Sequence, residues 1–160
     1  MASVAINCCA GDVARGLARL FHRRGSTVLC EVPLPNGRRA DLVAVDARGH
    51  ISIVEIKVAR ADLIADVKWV DYLDWCDRFY WALSPALDIA LLDDRQPERC
   101  GLIVADRYDA VIVRQGVDSP LSPARRRSEM LRIGRLAMRR TMLALDPDLI
   151  AHAGESDIGF

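Results

Sequence analysis

The chain has 160 residues, enough for one domain with a substantial core, and its 51% hydrophobic and 28% charged composition is that of an ordinary globular protein. Its 22 Lys and Arg balance 22 Asp and Glu, so no global field draws it to nucleic acid or a membrane surface, and any charged partner must be met by a local patch. No apolar run reaches the roughly 20 residues of a membrane span, and the opening MASVAINCCAGD has no basic segment ahead of an apolar one, which argues against an export signal.

Five cysteines (Cys8, Cys9, Cys30, Cys76 and Cys100) show no C-x-x-C spacing and read as buried free thiols of a reducing compartment. A cytoplasmic location with no membrane partner is the resulting expectation.

In chain order, residues 11–24 carry Val13, Leu17, Leu20 and Phe21 at helical spacing, with Asp12 as the N-cap and Gly25 as the stop. STVLCEVPLPNG reads as a strand broken at a Pro-Asn-Gly turn. Strands follow at 39–46 and 51–57 around DARGH, where Gly49 is free to turn left-handed. The pattern from Ala61 to Cys76 is helical. RFYWAL, CGLIVAD and DAVIVRQ then read as strands, with a polar, acidic connector at 88–98 after the first of them. A last helix spans Pro123 to Leu145, and the tail from Asp146 reads as loosely held. The expected organisation is one domain over 1–145 with a loosely ordered tail over 146–160. Short turns make the early strands antiparallel, whereas the strand–helix–strand step from 51 to 82 calls for a parallel crossover. The result is a mixed sheet with helices on both faces.

Three charges interrupt the apolar strands: Asp41, Glu55 and Lys57. If Ala47-Arg48-Gly49 is a three-residue loop closed by Asp46 and His50, Asp41 falls directly opposite Glu55, and Lys57 shares their face. Facing carboxylates repel unless neutralised. Lys57 does part of this, and a hard divalent cation would do it better while activating a bound water. A salt-bridged trio without chemistry is the alternative reading of the same residues.

This D…E-x-K arrangement across a hairpin resembles the PD-(D/E)XK nuclease superfamily, and more closely its MmcB-like DNA repair proteins. NGRRADLVAVD, IVEIKVARADLIADVKWVDYLDWCDRFYWAL, GLIVADRYDAVIVR and LSPARRR carry the resemblance. It implies a restriction-endonuclease-like three-layer α/β/α core in α-β-β-β-α-β order, with an Arg-rich C-terminal helix added, and Mg²⁺- or Mn²⁺-dependent endonuclease chemistry on DNA in repair. Carried over residue by residue, Asp41, Glu55 and Lys57 would be catalytic, with Asp41, Glu55 and the backbone carbonyl of Ile56 holding the metal. Homodimers are frequent in the superfamily, so a second copy joins DNA and a repair protein among the expected partners.

Two departures stand out. Ala40 replaces the motif proline, and no acid lies in residues 13–24, where the superfamily often has one. Glu31 is the candidate substitute. It faces the site if Pro35-Asn36-Gly37 forms a three-residue loop, and faces away if Asn36-Gly37 forms a two-residue turn. The missing acid motivates the alternative that the domain binds DNA or a repair partner without cutting. Arg38, Arg39, Lys68, Arg125, Arg126 and Arg127 are the expected nucleic-acid contacts, because cations placed this way neutralise backbone phosphate.

Overall fold

A computed structural model describes residues 8–92 and 98–149. Residues 150–160, most of the segment read as a loose tail, lie outside the described residues, as do 93–97 in the acidic connector. The chain divides into two compact units, the first ending at Leu121 and the second beginning at Ser122.

The first unit starts with α1 (Ala10–Arg23). Its N-cap is Cys9 rather than Asp12. Asp12 stands three residues further on, where its carboxylate accepts the Cys9 N–H at 3.2 Å and offsets the unpaired amides of the first turn. The expected apolar positions Val13, Leu17, Leu20 and Phe21 are all buried, each contributing about 1.5–3 kcal/mol of transfer free energy. Gly16 lies on the same face because a Cβ there would stand 2.1 Å from the Asp106 carbonyl oxygen.

Six strands form one sheet in sequential order: β1 (Ser26–Pro33), β2 (Arg39–Asp46), β3 (Ile51–Lys57), β4 (Arg78–Leu83), β5 (Cys100–Ala105) and β6 (Ala110–Arg114). β1–β2, β2–β3 and β5–β6 are antiparallel, while β3–β4 and β4–β5 are parallel, giving the expected mixed sheet. Period-two alternation sends Leu42, Ala44, Val54, Tyr80, Ala82 and Ile103 into one core with α1. The alternate residues face a second helical layer.

That layer is not one helix. The helical pattern of 61–76 splits into a short α2 (Arg60–Ala65) and a 3-10 segment (Trp69–Trp75). Leu63, Trp69 and Tyr72 are buried by it, with Trp69 5.7 Å and Tyr72 6.0 Å from Phe79 between ring centroids. Helical layers on both faces of the sheet make a mixed α/β fold consistent with a restriction-endonuclease-like three-layer core. The connector after β4 also forms a short 3-10 turn at Ile89–Leu92.

The second unit contains α3 (Pro123–Leu145), with Ser122 as its N-cap and Pro123 at the first position, where the missing N–H costs nothing.

Candidate functional site

The hairpin joining β2 to β3 sets the site. Asp46 N–H donates to the His50 carbonyl at 3.1 Å, Gly49 N–H returns to the Asp46 carbonyl at 3.0 Å, and Gly49 adopts φ 77°. This is the three-residue loop expected from the sequence. It fixes Val45 opposite Ile51 and Leu42 opposite Val54, so Asp41 comes opposite Glu55 one step further on. There, side chains take over from the backbone ladder. The Asp41 N–H donates to Glu55 Oε1 at 3.2 Å, and the Ile56 N–H donates to Asp41 Oδ2 at 2.8 Å.

Lys57 lies on the same face, with Nζ 2.7 Å from Asp66 Oδ2 and 5.6 Å from the centre of the Trp81 ring. Both members of the ion pair are only 12% exposed. Glu55 is buried, and desolvation, followed by the nearby Asp41 charge, pushes its carboxyl up to about 8. Burial also raises Asp41, against the opposing pull of the Ile56 N–H and Lys57. Burial likewise raises the Tyr72 phenol, with the Glu55 charge next in effect, and its hydroxyl donates to the Arg39 carbonyl at 3.1 Å.

These groups line a cleft of about 450 Å³. Its cations are Arg38, Arg39, Lys57 and Lys68, and its acids are Asp41, Glu55, Asp62 and Asp66. With Glu55 protonated, the cations outnumber the carboxylates. Arg38 bridges to Asp71 at 2.7 Å, which anchors the 3-10 segment to the first hairpin. Lys68 lies at the exposed rim. Neither Tyr72 nor Asp62 is among the residues that the sequence assigns to the site. Tyr72 is both buried and part of the cleft wall, a dual position that helical spacing does not distinguish.

Glu31 resolves to one of its two alternatives. Leu34 N–H donates to the Arg38 carbonyl at 2.7 Å and Gly37, at φ 80°, closes onto Leu34, so the loop has three residues. Val32 then pairs with Ala40 and Cys30 with Leu42, which places Glu31 across from Asp41. Glu31 itself takes φ 52°, and its carboxylate binds Arg39 Nε at 2.6 Å. Glu31 is not among the residues that wall the cleft.

The expectation of Mg²⁺ or Mn²⁺ held by Asp41, Glu55 and Ile56 is corrected by this geometry. Among the described residues, no group of three or more His, Cys, Asp or Glu side chains could hold a metal ion. The donors explain why. Magnesium is held by one or two carboxylates together with waters and substrate phosphate, whereas here those oxygens already have partners: Glu55 accepts the Asp41 N–H, Asp41 accepts the Ile56 N–H, and Glu31 is turned onto Arg39. Ile56 pairs with Ala82 of β4.

On α3, Arg125 and Arg127 are exposed and Arg126 is partly so. All three stand in the first turns, near the positive end of the helix dipole. Asp77 is buried and accepts the N–H groups of Ile51 at 2.7 Å and Leu121 at 2.8 Å. Arg78 reaches Asp118 at 3.5 Å.

Residues 6–148 match the family described as DNA repair protein MmcB-like. Among solved structures, the chain is similar to the SPO1766 protein of unknown function from Silicibacter pomeroyi, at 37% identity and a TM-score of 0.79. The match covers 91% of this chain and 94% of that one. A comparison with curated proteins finds no match.

Proposed function

Because the chain belongs to the MmcB-like family of the PD-(D/E)XK nuclease superfamily, we propose that it is a nuclease-fold protein that holds DNA during repair without metal-dependent cleavage at Asp41, Glu55 and Lys57. The observation that carries this reading is the closed state of the motif cluster. Lys57, which would have to position an attacking water, is ion-paired to Asp66 at 2.7 Å beside a buried Glu55 whose carboxyl desolvation pushes up to about 8. Here the motif residues brace the hairpin against α2 and shape the cleft. Arg38, Arg39 and Lys68 on its wall then supply phosphate contacts, and Arg125, Arg126 and Arg127 add contacts of their own that are independent of base sequence. The family description supports DNA repair as the setting. No helix among the described residues is long and apolar enough to cross a membrane, and the five cysteines are free thiols.

Fluorescence anisotropy with labelled single-stranded, duplex and branched DNA over a salt series tests the proposal. Binding is expected to weaken steeply with salt and to persist in Glu55→Gln. Replacing Arg125, Arg126 and Arg127 together by alanine should reduce the slope of log K against log salt by about 1 for each phosphate that is no longer neutralised. Salt-insensitive binding would overturn the reading. So would DNA cleavage by the purified protein that disappears in both Asp41→Ala and Lys57→Ala.

A further inference from the structure

The last helix carries a feature that phosphate contacts do not use. At 100° per residue, Leu131, Met138, Met142 and Leu145 of α3 fall within an arc of about 60°. They are 60%, 68%, 54% and 82% exposed, respectively, an outward apolar stripe four turns long. A stripe of this kind on a helix is unusual unless something covers it. Gly134 lies at its edge, in the helix interior, where glycine is the least favourable residue after proline. A Cβ at Gly134 would meet no atom within 4 Å among the described residues. Packing among the described residues therefore gives no reason for glycine there, whereas close approach by another molecule does.

We infer that this stripe is the docking site for an acidic amphipathic helix of a partner protein. Charge selects that occupant. Arg127 lies within the stripe, with Arg135 and Arg139 along one border, and all three are exposed. The sole acid of α3 is Glu129, and it is bound by Arg132 through Nε at 3.1 Å. A helix with apolar residues at heptad spacing and Glu or Asp beside them would bury the four side chains and face the arginines with opposite charge. A second copy of α3 fits poorly, because pairing would bring two arginine-rich surfaces together with no carboxylate between them. DNA fits the arginines but leaves Leu131, Met138, Met142 and Leu145 wet. The inference requires nothing of the cleft, and it stands even if the protein fails to bind DNA.

The test uses the full chain and a labelled 20-residue peptide with leucines at a and d heptad positions and glutamates at e and g. Its controls are a scrambled peptide of the same composition, duplex DNA and phosphatidylglycerol vesicles. Saturable peptide binding is expected, weakened at least tenfold by Leu131→Ser with Met138→Ser, and by Arg135→Glu with Arg139→Glu. The serine pair should leave DNA affinity unchanged. Gly134→Ala should weaken the peptide while leaving the fold intact by circular dichroism, and Met142→Gln provides a single milder change in the same stripe. Equal binding of the scrambled peptide, or indifference to the serine pair and to Met142→Gln, would overturn the inference. It would equally fail if the stripe instead drove vesicle binding, or self-association seen by sedimentation.

Discussion

Glutamine in place of Glu55 separates a protonated carboxyl from an ionised one. Burial and the Asp41 charge lift the Glu55 pKa from its ordinary 4.5 to about 8. Between those values, the unfolded chain has released the proton while the folded chain keeps it. Stability is therefore fully present below 4.5 and is lost as pH rises toward 8, at about 1.4 kcal/mol per pH unit, or roughly 5 kcal/mol across the window. Asp41 is raised as well and titrates with Glu55 as a pair, so the loss belongs to the dyad. Glutamine keeps the size of the side chain and an oxygen that accepts the Asp41 N–H, but it cannot ionise. Urea unfolding of both proteins at half-unit steps from about pH 3 to about pH 8.5 measures the difference. The variant should gain on the wild type by about 1 kcal/mol or more per pH unit between 5.5 and 7.5. Parallel curves over that range would refute the buried, protonated assignment. Divergence confined to pH below 4.5 would show that the folded protein holds Glu55 ionised.

Other perturbations read the frame around the cleft. Asp77→Ala leaves the buried N–H groups of Ile51 and Leu121 without their acceptor, and should cost about 3–5 kcal/mol in urea unfolding at pH 7. The two interior helix glycines should respond in opposite directions. Gly16→Ala drives a Cβ to 2.1 Å and 2.6 Å from the Asp106 and Asp109 carbonyl oxygens, and should destabilise by about 2–4 kcal/mol despite its better helix propensity. Gly134→Ala meets open space and should stabilise by about 0.5–1 kcal/mol, measured by thermal or urea unfolding. Asp66→Asn removes the charge facing Lys57. Nuclear magnetic resonance should then show faster exchange of the Lys57 ammonium protons, and unchanged exchange would mean the pair does not hold in solution.

The parts of the fold fixed by short-range rules were readable. Gly37 and Gly49 mark the two three-residue loops, and period-two alternation carries those loops through to the meeting of Asp41 with Glu55. Glu31 was undecided because parity depends on a single residue of loop length, and the Pro-Asn-Gly sequence suits either turn. The metal expectation failed for a different reason. The motif supplies the right residue types, but ligand capacity depends on the protonation and existing partners of each oxygen, and both are set by burial. Nothing in E-x-K shows that Glu55 is desolvated enough to hold its proton.

The break in the second helix shows how one side chain turns local chemistry into site architecture. Periodicity from Ala61 to Cys76 expects a continuous helix, yet α2 ends at Ala65, and Asp66 takes φ −78° and ψ 98°. Its Oδ1 accepts the Lys68 N–H at 3.0 Å, a local turn that competes with helix continuation, and its Oδ2 binds Lys57 at 2.7 Å. The same carboxylate therefore ends the helix and neutralises the motif lysine. Each bond favours the other, since the turn aims Oδ2 at β3 and the lysine holds the turn closed. An uninterrupted helix would carry Trp69 and Tyr72 along its own axis instead of letting the 3-10 segment press both onto Phe79. The aromatic packing that covers this face thus follows from the turn at Asp66, one oxygen of which Lys57 binds. A lysine withdrawn to orient a water would give up its ion pair with Asp66. This coupling is a physical reason for the proposal that the cluster braces the hairpin.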